Sequence, residues 1–289
     1  MRSLIHRLFG TGTRGYYGES RPRSGMGCHP RILMALLIIG GSVAWHYLGT
    51  TSYQNEFTGR VQRLKFGTPQ EEIALGLRSA PLMIQEMGGQ SRDAAAQALV
   101  DQVGQKLVQS TLARKTPYQF EFHLLADRLT INAFALPGGQ IFITEALFRL
   151  LKSEDQLAGV LGHEIGHVVG RHSNEQMAKS GLWSGIAQGL GLLLSDGQSN
   201  TGAQIAHTIA QMRLMKFGRD DELESDALGV RFLIEAGYDP EGMIGVMEVL
   251  GRAASGSRQP EMLSTHPNPE NRAEKIRELI AEHRRQRQR

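Results

Sequence analysis

Hydrophobic and polar positions follow three rhythms along this chain, and each predicts a different kind of element. Residues 1–31 have no apolar periodicity and are rich in Arg and Gly, the pattern of a disordered basic tail. Ile32–Leu48 then runs 17 residues without a formal charge. As a helix it measures about 26 Å, at the short limit for crossing a bilayer. Trp45 and Tyr47 at its far end suit an interfacial aromatic belt. After a polar stretch, Thr68-Pro69-Gln70-Glu71 combines a Thr N-cap, Pro at the first helical position and Glu at the third, which predicts a helix start. Val100, Val103, Leu107 and Val108 recur at helical spacing between Arg92 and Thr111. The rhythm shortens to two at Tyr118–Leu124, a half-buried strand, and two more strands are expected at Ile131–Leu136 and Gln140–Thr144. Pro137-Gly138-Gly139 supplies the turn between the last two. Ser153 with Gln156 makes a capping box that opens a long helix reaching Met177. Gly181–Leu194 is apolar but, at 14 residues, short for a membrane span, and is read as core packing. Ser195–Gly202 is a polar loop, two or three helices follow to Ala254, and Ala273–Arg285 is a last amphipathic helix. There is no internal repeat. The pattern is α+β, mostly helical, with a small sheet.

Composition refines this picture in one respect. The chain of 289 residues is 40% hydrophobic and 21% charged, as expected of a folded protein. Its net charge of +3 is unevenly spread: residues 1–31 carry +5 and residues 283–289 carry +4, leaving −6 for the rest. The basic pI comes from the two ends, so a nucleic-acid-binding body is not indicated. Cys28, the single cysteine, excludes an intramolecular disulfide and a cysteine-based zinc site.

The strongest chemical signal is His163-Glu164-Ile165-Gly166-His167. On a helix, positions i and i+4 share a face, so both imidazoles reach one ion. Glu164 is rotated by about 100° from His163, beside the metal and suited to a bound water. A third ligand is needed. His172 comes one residue too early for the HExxHxxGxxH spacing and lies about 100° off, so it orients or caps the helix end instead. A carboxylate from Arg219–Asp226 is the better candidate. Glu222 and Asp226 are four apart and share a face, whereas Glu224 points elsewhere. That pair fits a ligand and the carboxylate that orients a ligating histidine.

These residues resemble the membrane-associated gluzincin endopeptidases that include the CAAX prenyl protease, the HtpX-like proteases and the BepA-like and Oma-like branches. The resemblance covers roughly residues 68–283. It rests on Asn132–Gly139 (NAFALPGG), His163–His172 (HEIGHVVGRH), Glu222–Asp226 (ELESD), Ala236–Pro240 (AGYDP) and Ser264–Arg272 (STHPNPENR). The lone N-terminal apolar segment looks more like the BepA-like or Oma-like branches, although their tetratricopeptide extension is not evident. The resemblance implies a zincin-like metalloprotease domain with one Zn2+ per subunit, bound by His163, His167 and Glu222, and Glu164 as the base. It implies His266 as a fourth ligand, switch or catalytic group, and Arg272 as a group that stabilises the oxyanion or binds substrate. Ser225 departs from the family's more usual Ala, and the spacing from Glu222 to His266 differs by one residue, which leaves the zinc contact of His266 open.

The organisation expected is a basic disordered tail (1–31), one transmembrane anchor or signal segment (32–48), a linker (49–67), a zinc metalloendopeptidase domain (68–283) and a basic tail (284–289). The function expected is zinc-dependent hydrolysis of peptide bonds in misfolded, membrane or envelope proteins. Such a protein has protein or peptide substrates and a membrane contact, and no nucleic acid partner. The Arg-rich flank places the domain on the non-cytoplasmic, periplasmic side. Two other readings of the N-terminus stay open: Ser42-Val43-Ala44 resembles a signal-peptidase site, releasing a soluble periplasmic form, and an Arg-rich, acid-poor start also fits a mitochondrial presequence leading to the inner membrane. The rival function is a chaperone-like binding protein with a latent metal site.

Overall fold

A computed structural model describes residues 29–181, 216–255, 259–266 and 271–287. The apolar segment near the N-terminus is a helix, α1 (His29–Leu48). The transmembrane expectation for Ile32–Leu48 meets a plain limit: among the described residues no helix is long and apolar enough to cross a membrane. The stretch 49–67, expected to be a linker, holds an antiparallel hairpin of β1 (Thr51–Gln54) and β2 (Val61–Leu64). Its polar sequence conceals two short strands that have few apolar positions to alternate.

The local signals are otherwise followed closely. Helix α2 (Pro69–Glu86) starts with Thr68 accepting from the Glu71 N–H while the Glu71 carboxylate accepts from the Thr68 N–H at 3.1 Å, so two end amides are satisfied reciprocally. Helix α3 (Ala94–Ser110) buries Val100, Val103, Leu107 and Val108. A 3-10 turn (Leu112–Lys115) leads to β3 (Glu121–Leu125), β4 (Ala133–Ala135) and β5 (Gln140–Thr144). In this sheet β5 is central, parallel to β3 and antiparallel to β4, so β4 lies at one edge. Every residue of β5 is buried. One face of the sheet meets Met83 and Met87 through Phe142, and the other meets the main core. The turn between β4 and β5 demands glycine. Gly138 has φ +85°, and a Cβ there would come within 2.4 Å of the Ile73 backbone of α2.

After the short α4 (Glu145–Phe148) comes α5 (Glu154–Val169), the central helix. It packs against α6 (Arg219–Ala236) and α7 (Glu241–Ala254). Gly166 brings α5 and α6 together: a Cβ at this position would lie 2.9 Å from the Ser225 carbonyl oxygen. A one-turn helix, α8 (Met262–Thr265), and the terminal α9 (Arg272–Arg287) complete the fold. Helix α9 carries the expected basic tail as far as Arg287.

One expected element is divided. The helix predicted to reach Met177 stops at Val169, and helix resumes at residues 172–181. Arg171 at the break takes a left-handed conformation, φ +57°. This is uncommon for a side chain of its size, and tertiary contacts hold it there. The buried Arg171 guanidinium donates from Nε to Glu72 at 2.8 Å, while Asn55 and Gln62 of the hairpin region donate to the freed carbonyls of Val169 (2.9 Å) and Gly170 (2.8 Å). Capping of this kind from 108 or more residues away has no signature in helix spacing. The core segment expected at Gly181–Leu194 and the loop at Ser195–Gly202 lie outside the described residues, apart from Gly181.

Candidate metal centre

The period of α5 puts His163 and His167 one turn apart on its buried face, with Nε2 atoms 3.0 Å apart. Glu222 reaches them from the first turns of α6. Its Oε2 is 3.5 Å from His163 Nε2 and its Oε1 is 3.4 Å from His167 Nε2. The fourth member, His266, caps α8, with Nδ1 3.0 Å from Glu222 and 3.4 Å from His163 Nε2. All four side chains are buried, and one potential ligand atom from each lies within 4.8 Å of all the others. A tetrahedral ion with bonds of about 2.0–2.1 Å separates its ligands by about 3.3 Å, close to these spacings. Imidazole and carboxylate donors in this number suit zinc.

The hydrogen-bond polarity supports the same fit. Asp226 Oδ1 is 3.0 Å from His163 Nδ1, so that nitrogen donates and, in the neutral ring, Nε2 presents a lone pair. Two imidazole nitrogens and a carboxylate then converge in a dry space, which a cation relieves. Burial works against a charged His163, yet its bonds to Asp226 and Glu222 raise its pKa to about 9. Burial drives the His167 pKa well down. Glu222 is held far below the ordinary carboxylate range by the surrounding histidines, despite its burial.

Glu164 lies one residue along α5 and is fully buried, with its carboxyl pKa raised by desolvation. Neither of its oxygens has a hydrogen-bond partner among the described residues. A buried carboxylate is costly to leave unbonded, so an unpartnered one beside a donor cluster marks a place for a ligand or water.

Comparison with known proteins decides what kind of centre this is. Residues 94–280 match Peptidase family M48. The chain belongs to that family. It carries the HExxH-plus-glutamate site of an M48 zinc metalloendopeptidase, in His163, Glu164, His167 and Glu222. It is 34% identical to the beta-barrel assembly-enhancing protease of Escherichia coli K12 over 198 residues, 63% of this chain and 40% of that protein. The mitochondrial metalloendopeptidase OMA1 of Schizosaccharomyces pombe is 34% identical over 167 residues, 57% of this chain and 48% of the relative. OMA1 of Arabidopsis thaliana is 36% identical over 151 residues, 52% of this chain and 30% of the relative. The chain therefore spans less than half the length of these curated relatives.

Within the M48 site, one sequence expectation shifts and another gains a partner. Arg272, expected at the oxyanion or substrate, is committed to carboxylates. It donates to Asp226 from Nε at 2.6 Å and Nη2 at 2.8 Å, and its Nη1 lies 3.0 Å from Glu222. Glu224 points away from the ligand face, as expected, and accepts from His172 Nε2 at 2.6 Å, while His172 Nδ1 lies 2.9 Å from His167 Nδ1. Several nearby residues give no sequence signal. Phe217 covers His167 and His266, its ring centroid 4.0 Å from that of His167. Arg60, from the loop between β1 and β2, pairs with Glu175 and, at 2.8 Å, with Asp221. Helical spacing finds neighbours on one face, and none of these partners lies on α5.

Proposed function

We propose that this chain is a zinc-dependent endopeptidase acting on unfolded or membrane-associated proteins, with His163, His167 and Glu222 as ligands of one zinc ion. The observation that carries this reading is the buried Glu164 carboxylate, neither oxygen of which has a hydrogen-bond partner among the described residues, beside four convergent donors. Zinc held there would supply a Lewis acid for the scissile carbonyl and lower the pKa of a bound water to about 7. Glu164 then takes the proton of the attacking water and passes it to the departing amine, as its position on the helix next to His163 allows. Asp226 keeps His163 in the tautomer that offers Nε2. Arg272 holds Asp226 and Glu222 in place, and this bidentate grip is the role we assign to it.

The edge strand β4 supports a peptide-binding mode. An extended substrate adding alongside Ala133–Ala135 gains backbone hydrogen bonds with little demand on its sequence. That suits unfolded clients, and the names of the relatives, an assembly-enhancing protease and a mitochondrial metalloendopeptidase, support a place in protein quality control. Zinc analysis of the purified chain, paired with cleavage of an unfolded protein, tests the proposal.

His266 sets the resting activity in this reading. Its Nδ1 sits 3.0 Å from Glu222 and its Nε2 3.7 Å from Glu164, deep in the space a substrate carbonyl must enter. We assign it a restraining role, so His266→Ala is expected to raise basal cleavage while zinc remains bound. A loss of about 10²–10³-fold in kcat instead would make it an oxyanion donor. An unchanged rate would remove both roles.

We further propose that α1 attaches the domain to a membrane on its non-cytoplasmic side. Leu33, Leu36, Leu37, Trp45 and Leu48 are all exposed along this helix, an apolar surface that needs a cover. The full-length chain is expected to float with lipid vesicles, and a chain lacking residues 1–48 to stay behind. Equal behaviour of the two would end this part of the proposal.

A further inference from the structure

The second histidine of α5 is held differently from the first. His163 Nδ1 meets a carboxylate directly, whereas His167 Nδ1 meets another imidazole, that of His172, at 2.9 Å. His172 is fully buried and its other nitrogen, Nε2, is 2.6 Å from Glu224 Oε2. An ionised carboxylate only accepts, so His172 Nε2 carries hydrogen and donates to Glu224. In a neutral ring this leaves Nδ1 of His172 with a lone pair, which accepts from Nδ1–H of His167. The chain of donors therefore turns the Nε2 lone pair of His167 toward His163, Glu222 and His266. Glu224 is anchored in turn. Arg60 Nε lies 3.5 Å from Glu224 Oε2, and its Nη2 bonds both Asp221, at 2.8 Å, and Glu175. A guanidinium with a planar fork of donors thus ties residues 172–181, which begin with His172, to α6, which carries Glu222.

We propose that Arg60, Glu224 and His172 form a relay that fixes the ring and tautomer of His167, so that the hairpin β1–β2 is a working part of the metal centre. All three act as positioning residues and none touches substrate. The hairpin lies outside residues 94–280, the part matched to the family, so this support comes to the M48 core from the preceding segment. The hairpin is itself braced against α5. Asn55 and Gln62 donate to the carbonyls of Val169 and Gly170, and Asn55 N donates to the Arg60 carbonyl at 2.9 Å. Removing the hairpin would therefore release the end of the ligand helix and the anchor of Glu224 together.

The inference rests on the proposed zinc site, and its test separates the two. Zinc affinity of the full chain is measured by competition with a chromophoric chelator for the parent, R60Q, E224Q and His172→Phe. Support for a histidine ligand is worth about 10–100-fold in metal affinity, and a loss of that size is expected for E224Q and His172→Phe, with a smaller loss for R60Q that Arg60→Lys partly restores. The second readout needs no metal. Long-range 1H–15N spectra of the imidazoles in the zinc-free chain are expected to show His167 protonated at Nδ1 in the parent and at Nε2 in His172→Phe. A solvated imidazole also prefers Nε2–H, so the shift counts for the relay only in a variant whose amide spectrum keeps the parent's dispersion. E224Q and R60Q alter partly exposed side chains, so they keep the test open should His172→Phe fail to fold. A parent that binds no zinc would remove the site reading itself. Variants that bind zinc within about threefold of a tight-binding parent, with the His167 tautomer unchanged, would overturn the relay alone.

Discussion

Glu164→Gln is expected to keep its zinc and lose peptide-bond cleavage by about 10²–10⁴-fold, the usual contribution of a positioned general base. The substitution preserves the shape of a side chain whose oxygens make no hydrogen bond among the described residues, so little in the fold should rearrange. It removes the carboxylate beside the donor set while leaving the four donors in place. Burial raises the Glu164 carboxyl pKa, while the neighbouring His266 and His163 oppose that rise. Metal content and cleavage of an unfolded protein, measured on the same preparation, check the outcome. Loss of zinc in this variant would mean that Glu164 belongs to the ligand set. A parent that binds zinc and unfolded proteins yet cleaves none of them would favour the chaperone-like alternative.

The second large effect is expected at Glu222. Glu222→Gln removes the only carboxylate among the four convergent donors and the charge that faces Arg272 at 3.0 Å. Breaking a buried, well-paired charge costs about 3–5 kcal/mol, equivalent to about 10²–10⁴-fold in an equilibrium constant. Zinc and activity should fall together in Glu222→Gln, and further than in Glu224→Gln, which keeps all four donors. Elemental analysis and chelator competition distinguish the pair. A larger zinc loss from Glu224→Gln would reverse the assignment on α6.

Much of this centre is legible in the amino-acid sequence, because helical geometry acts over one turn. The four-residue spacing of His163 and His167, and that of Glu222 and Asp226, places each pair on one face wherever the helices go. The Thr68 cap, the Pro-Gly-Gly turn and the three sheet strands are equally local, and the fold follows them to within a few residues. The ordered motifs along the chain carry the family, which the match over residues 94–280 shows.

The parts that are not legible depend on contacts between distant stretches of the chain. Arg60 meets Asp221 across 161 residues, Arg272 meets Asp226 across 46, and Gln62 caps Gly170 across 108. Nothing in the neighbourhood of Arg60 distinguishes it from an exposed hairpin charge, and nothing near Gly170 announces that Arg171 will turn left-handed to reach Glu72. The angle of Glu224 on α6 turns it away from the ligands, and it still reaches the site through His172, a residue of another helix. By itself the sequence determined which side chains share a helical face, and with that the histidine pair, the glutamate beside it and the strands. Tertiary structure decided which carboxylate, guanidinium and imidazole stand behind each ligand, since burial drives most polar groups to find a partner and only the packed chain says which partner is within reach.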